Sequence, residues 1–318
     1  MFVREFIDGQ EIDQVLLVRE RDLRTRRDGS EYLRLSLGDR SGAAVAIVRD
    51  DIAPVAAICG PGACVLVRGR FSVDPRYGGE VALRHVRPAR PDEYDLDDLL
   101  DGPPRSVNGM ETALRDIVAQ VQNPHLGELL DRVLGPDAPT WPAYRDAPAA
   151  KRYHQAYRHG LLEHSLGVAE AVAVISTTFP GIDRDVAITG ALLHDIGKLD
   201  AYTSDPLAID MTDAGKLQGE IPLGYYRIRR AIEDIPGFPD GLAAAVLHII
   251  LAHHGMLEHG SPVIPCTREA TLVHMIDNLG GRLGSFDRLE KELPRGSAWS
   301  AYDRVLGGGA YFAAREAA

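Results

Sequence analysis

The stretch LLHDIGK, residues 192–198, constrains this chain more than any other. His194 and Asp195 are adjacent, and the segment before them, VAITGALL, is apolar with small residues. It reads as a buried helix that carries an imidazole and a carboxylate into the interior. Three further stretches do the same. HGLLEHSL puts His164 in an apolar-periodic segment, LHIILAHHG ends an apolar helix on His253 and His254, and LVHMIDNLGGRL sets Asp277 inside another. Gly255, just past the histidine pair, is a natural helix terminator. A buried carboxylate or imidazole without a partner is costly. Separate hydrogen-bonded core residues would be one answer to that cost. The ordered set of His, His-Asp, His-His and Asp on separate helices favours another, a shared metal ion. Imidazole nitrogen with carboxylate oxygen suits a divalent transition metal or manganese. Gly197 is expected to allow a tight turn after the pair. On a continued helix Lys198, four residues past His194, would share its face and could reach a bound phosphate.

The ordered pattern resembles the HD superfamily of metal-dependent phosphohydrolases. The strings NPHLGELL, HQAYRHGLLEHSL, LLHDIGKLDAY, MTDAGKLQGEI, ILAHHGMLEHGSP and MIDNLGGRL, from about residue 123 to 283, are most similar to one branch. That branch is the 3′-5′ exoribonucleases of the YhaM type, which join an OB-fold to an HD domain. The resemblance implies a first metal site of His164, His194, Asp195 and Asp277. It implies that Asp195 bridges to a second ion held by His253 and His254. The family's remaining ligand there is usually a histidine, at the position where LQGEI carries Glu220. Glu220 is therefore expected as a ligand of that site, against the alternative of an ordinary helix-start acid. Asp195 and Lys198 are the expected catalytic residues. His159 is a further candidate at the substrate or in the scaffold. His259 and Ser261, in MLEHGSP, are expected to cap a loop, with substrate contact as the alternative. The cofactors expected are divalent ions, two in number, manganese first and Fe, Co, Zn or Mg as others the donors would accept.

Residues 1–90 read differently. FVREFI, QVLLVRERDLRT, EYLRLSLGD, GAAVAIVRD, ACVLVRGRFSV and EVALRHVRP are short and β-rich, with turn signals at 27–30, 39–42, 61–63 and 76–79. About five strands in such a span suggest a small closed barrel, the OB-fold. That fold binds single strands by aromatic stacking and basic side chains. The candidates are Tyr32, Phe71 and Tyr77 with Arg24, Arg26, Arg27, Arg34 and Arg68; barrel core and a solvated hairpin are the competing readings. An acidic linker at 91–105 follows, then helical periodicity over 106–135 and a Pro/Ala-rich connection at 136–150. Segment 201–220 is expected to form a small hairpin around Asp213-Ala214-Gly215. The expected architecture is thus two-domain, an all-β OB-fold barrel (1–90), linker (91–105) and an all-α HD domain (106–318).

The net charge of −11 argues against nucleic acid only if it is evenly spread. Residues 1–90 hold 15 basic and 13 acidic side chains, so the acid lies in the remainder. Neither an apolar run of membrane length nor a signal-peptide pattern is present. The cysteines, Cys59, Cys64 and Cys266, form no CxxC pair and suggest a reducing cytoplasm. The leading expectation is a metal-dependent 3′-5′ exonuclease acting on single-stranded RNA, and on DNA as a second substrate. The alternatives are an HD phosphohydrolase for nucleotides or cyclic nucleotides, and a nucleic-acid-binding protein with an inactive metal site. A homo-oligomer is compatible with the sequence.

Overall fold

Alternation in EYLRLSLGD sends Leu33, Leu35 and Leu37 to one face and Tyr32, Arg34 and Ser36 to the other. The inward face needs cover on every side, and closing the sheet supplies it. In the computed structural model, which describes residues 1–26, 28–74, 78–151, 155–293 and 297–312, β1 (Glu11–Thr25), β2 (Glu31–Asp39), β3 (Gly42–Val48), β4 (Cys64–Asp74) and β5 (Gly78–Pro88) form a closed barrel in the order β1-β2-β3-β5-β4. The first half of β1 pairs with β4 and its second half with β2, with an irregularity between Val18 and Glu20. Helix α1 (Ile52–Ile58) joins β3 to β4.

FVREFI is not a strand. Val3–Glu5 form a 3₁₀ turn, and Val3 and Phe6 are buried in the barrel core. The Val3 amide donates to Asp39 Oδ2 at 2.6 Å, and a strand here would lose that anchor. The acidic segment after β5 is also more ordered than a tether. It carries a 3₁₀ turn at Pro91–Glu93 and helix α2 (Leu96–Leu99), where Leu99 is buried. Arg87 pairs with Glu93 at 2.7 Å and Arg19 with Asp101 at 3.2 Å.

The helical part comprises α3 (Val107–Val118), α4 (Pro124–Leu134), α5 (Trp141–Asp146), α6 (Gly160–Ile175), α7 (Arg184–Leu193), α8 (Lys198–Ala201), α9 (Asp213–Gln218), α10 (Glu220–Glu233), α11 (Asp240–Ala252) and α12 (Arg268–Glu292). Helices α6, α7 and α11 are apolar on most faces and form its centre, as hydrophobic all-round helices must. The Pro/Ala-rich connection contains α5, which inserts Trp141 and Tyr144 into the same core. Tyr202 and Met211 do form an antiparallel bridge, but Asp213-Ala214-Gly215 is not its turn. Thr212 Oγ1 accepts from the Gly215 amide at 2.9 Å and starts α9 there.

The chain folds into two compact units, one of 1–101, 206–208 and 287–318, the other of 102–205 and 209–286. These units interleave along the chain, whereas the sequence segments 1–90, 91–105 and 106–318 run consecutively. In the first unit the tail is closed by bridges from Trp299 to Tyr311 and from Asp303 to Gly308.

Candidate metal centre

The acidic and imidazole side chains in question sit at helix ends or on faces turned inward. Helix α7 is buried from Val186 to Leu193 and stops at His194. Its last carbonyls have no partner within the helix, and His194 Nδ1 donates to one of them, Ala191 O, at 2.7 Å. Helix α11 stops the same way: His253 Nδ1 donates to Ile250 O at 2.8 Å, and Gly255 leaves the helix with a φ of 78°. His254 Nδ1 donates to His259 O at 2.9 Å, and His164 Nδ1 to Gln155 Oε1 at 3.1 Å. With each Nδ1 engaged in donating, each Nε2 turns toward the centre.

Gly197 matters for a reason other than the expected one. Its φ is −66°, ordinary for any residue. A Cβ on it, however, would lie 2.0 Å from Glu220 O and 2.5 Å from Gly224 N. The missing side chain is what lets the first turn of α10 press against the His-Asp loop and bring Glu220 to the site. The helix also does not continue through Lys198. The chain turns, the Lys198 amide donates to Asp195 O at 2.9 Å, and a new helix begins.

Two donor groups result. His164, His194 and Asp277 form one, and Glu220, His253 and His254 the other, each within 4.8 Å. His164 Nε2 lies 3.1 Å from His194 Nε2, 3.1 Å from Asp277 Oδ1 and 3.2 Å from Asp195 Oδ2. In the second group His254 Nε2 is 3.2 Å from Glu220 Oε1. Asp195 stands between them: Oδ2 faces the first group, and Oδ1 is 3.5 Å from His253 Nε2. Lys198 Nζ is 2.6 Å from Asp195 Oδ2.

The electrostatics are those of a site built for cations. Burial works against the charge on Asp195, but Lys198 and the adjacent imidazoles outweigh it and hold the carboxyl well below the usual range. For Asp277 burial is outweighed by His164, and for Glu220 by Lys198 and His254, so both stay low. Burial would lower His164, yet its bonds to Asp195 and Asp277 raise it to about 9. Burial pushes His253 down. In the metal-free chain a proton on His164 thus does part of what a cation would do. Two atoms remain unanswered: Asp195 Oδ1 and His253 Nε2 are buried and make no hydrogen bond among the described residues. Buried acceptors of this kind are normally satisfied. A divalent ion held by the second group together with Asp195 would satisfy both, and the nitrogen and carboxylate donors fit one.

The predicted His164, His194, Asp195, Lys198, Glu220, His253, His254 and Asp277 are therefore brought together. His159 is not. It takes a left-handed conformation before α6, and its ring bonds to Arg145 O at 2.8 Å beside Asp146, which ties α6 to α5. His259 contributes its carbonyl to His254, in a 3₁₀ turn at Leu257–His259. Ser261 is buried, with its hydroxyl unbonded among the described residues. Sequence reasoning missed Gln155, a buried residue at φ 60° that orients His164, for which spacing held no signal. It also missed His274, whose position one turn before Asp277 was a usable sign.

On the barrel, Tyr32 and Arg34 lie on the outward face of β2, paired with Arg24 and Asp22 of β1. Arg26 sits over the Tyr32 ring at 5.4 Å. Arg68 is exposed and bonded to Asp13 at 3.1 Å. Phe71 corrects the expectation of a stacking platform: it is buried in the barrel core, edge-on to Phe6 at 5.4 Å, because its strand position points inward. Tyr77 and Arg27 lie outside the described residues.

A helical unit with a His donor on α6, a His-Asp pair after α7 and an Asp donor on α12 defines a class. The family model for the HD domain matches residues 161–281, from the start of α6 to just past Asp277. The chain is 30% identical to the 3′-5′ exoribonuclease YhaM of Bacillus licheniformis over 291 residues, 90% of each chain. The YhaM of Bacillus subtilis gives the same figures, and that of a Geobacillus species is 29% identical over 290 residues, 90% of this chain and 87% of its own. The chain belongs to this YhaM family of HD-domain proteins.

Proposed function

We propose that this protein is a metal-dependent hydrolase that removes nucleotides one at a time from the 3′ end of single-stranded RNA. The observation that carries the reading is Asp195, one oxygen turned to each donor group and one of them buried without a hydrogen bond among the described residues. The names of the 30%-identical relatives favour RNA and the 3′-5′ direction. In this reading His164, His194, Asp195 and Asp277 hold one divalent ion. Glu220, His253 and His254, with Asp195, hold a second, and manganese is the ion this reading favours among those that mixed nitrogen and oxygen donors accept. When bound, such ions polarise a phosphodiester and make water a better nucleophile.

The chain's own residues do the rest. The Nδ1 bonds of the histidines fix each ring, so the donors are oriented before any ion arrives. Lys198 is half-buried against Asp195 and offers a positive charge to the phosphoryl oxygens, where charge grows in the transition state. The barrel, through Tyr32, Arg34 and Arg24, holds the strand by stacking and phosphate contact. The division of labour proposed is strand holding by residues 1–90 and hydrolysis by 106–318. All three cysteines are free thiols, in keeping with a cytoplasmic protein. No helix among the described residues is long and apolar enough to cross a membrane.

Oligonucleotides labelled at either end test this. With Mn²⁺, a 5′-labelled RNA should shorten as a ladder, and a 3′-labelled one should release labelled mononucleotide at once. EDTA should stop both. Hydrolysis of mononucleotides or cyclic dinucleotides with no shortening of any oligonucleotide would refute the exonuclease and favour the nucleotide phosphohydrolase.

A further inference from the structure

We infer that His274, which belongs to neither donor group, is a positioning residue that sets the second group by holding the turn His253–Gly255. The inference rests on the reading that Glu220, His253 and His254 hold an ion. Helix α11 ends at that turn, so its final carbonyls lack partners within the helix. Ile250 O is taken by His253 Nδ1 and Ala252 O by the Gly255 amide at 2.8 Å. His253 O is taken from outside the helix, by His274 Nδ1 at 2.7 Å. Because a carbonyl only accepts, that nitrogen carries its proton in every charge state of the ring.

The ring also packs flat on the turn. A Cβ on Gly255 would lie 2.1 Å from His274 Cε1 and 2.3 Å from Nε2. Gly255 thus meets two demands at once, a φ of 78° and an imidazole against its Cα. The placement on α12 gives the interaction its reach. His274 is one turn before Asp277, and residues three apart share a helix face. One rigid helix therefore carries a donor of the first group and, one turn away, the clamp on the peptide that presents His253 and His254. Spacing between the two groups is set across this clamp.

Calorimetric titration of the EDTA-treated full chain with MnCl₂ tests it. The native chain should bind two ions. In His274→Leu the second ion should bind about 10- to 100-fold more weakly while the first changes by no more than about twofold, the loss usual when a partner of a metal ligand is removed. An asparagine amide nitrogen overlays Nδ1, and a glutamine amide nitrogen overlays Nε2. His274→Asn should therefore recover most of the second-site affinity, and His274→Gln should not. Should His274→Leu fail to fold, the Asn and Gln variants decide by themselves. Native affinity at both sites in His274→Leu, equal losses at both sites, or Asn and Gln behaving alike would each overturn the inference. A native chain that takes up only one ion would instead overturn the two-ion reading beneath it.

Discussion

Replacing Gly197 with alanine should disable the site without touching any donor. The added Cβ would start 2.0 Å from Glu220 O and 2.5 Å from Gly224 N. Both are backbone atoms, so no side-chain rotation relieves the clash. Real Cβ atoms essentially never come within 3.0 Å of such neighbours, so the first turn of α10 must retreat by about 1 Å. Overpacking of this kind costs about 1–3 kcal/mol, which an α-helical unit with so continuous a core should survive. The site is less tolerant, because a misplacement of about 1 Å is able to cost about 100-fold in turnover. Glu220 is the donor displaced, so the second ion should weaken more than the first. Gly167 on α6 is the control: it is exposed with nothing near its missing Cβ, and Gly167→Ala should gain up to about 1 kcal/mol with activity unchanged. Thermal melts, Mn²⁺ titration and RNA turnover on both variants measure each part. Native turnover and native second-ion affinity in Gly197→Ala would refute the argument that the missing side chain seats Glu220.

Other perturbations separate the remaining roles. Glu220→Gln should lose about one Mn²⁺ per chain by metal analysis and most of its turnover; unchanged metal content with altered stability alone would reduce Glu220 to a helix-start acid. His164 is raised to about 9 in the metal-free chain, so its contribution to stability is full below the unfolded value near 6.5 and is lost as pH rises through about 9. Melting temperatures of EDTA-treated protein should accordingly fall from pH 6.5 to 9, and less so in His164→Gln. Metal uptake must displace the same proton, so apparent Mn²⁺ affinity should climb across that range. Tyr32→Ala with Arg34→Ala should weaken binding of a long single strand and flatten its salt dependence by about 0.7 for each phosphate no longer neutralised, while cleavage of a small phosphodiester stays intact. Phe71→Ala should instead destabilise the barrel, by about 3 kcal/mol, and a calorimetric scan separates the two behaviours.

Much of the site was legible because chemistry and pattern coincide there. A histidine or aspartate inside VAITGALL-like surroundings has few ways to be stable, and four such places in order leave fewer. Barrel strands were legible through the alternation of Leu33, Leu35 and Leu37. What escaped depended on tertiary partners. FVREFI has the composition of a strand, but Val3 is drawn into a 3₁₀ turn by Asp39, thirty-six residues away. Helices α1 and α5 are short, and Pro at 54 and 142 obscures their periodicity. Phe71 and Tyr32 are both aromatic residues on strands; only the register of the closed barrel turns one inward and the other out. Gly197 looked like a turn glycine, and nothing local announces that another helix rests on it.

The helix ends have one more consequence. Peptide dipoles leave about half a negative charge at the carboxyl end of a helix and half a positive charge at its amino end. Helices α7 and α11 finish at His194 and His253, so two negative ends meet the donor groups, while α10 begins at Glu220 with its positive end beside a carboxylate. Part of the potential that attracts cations is therefore written in the main chain. Substitution of any one donor side chain leaves this main-chain field in place, so its contribution to the potential at the site should persist in every donor variant.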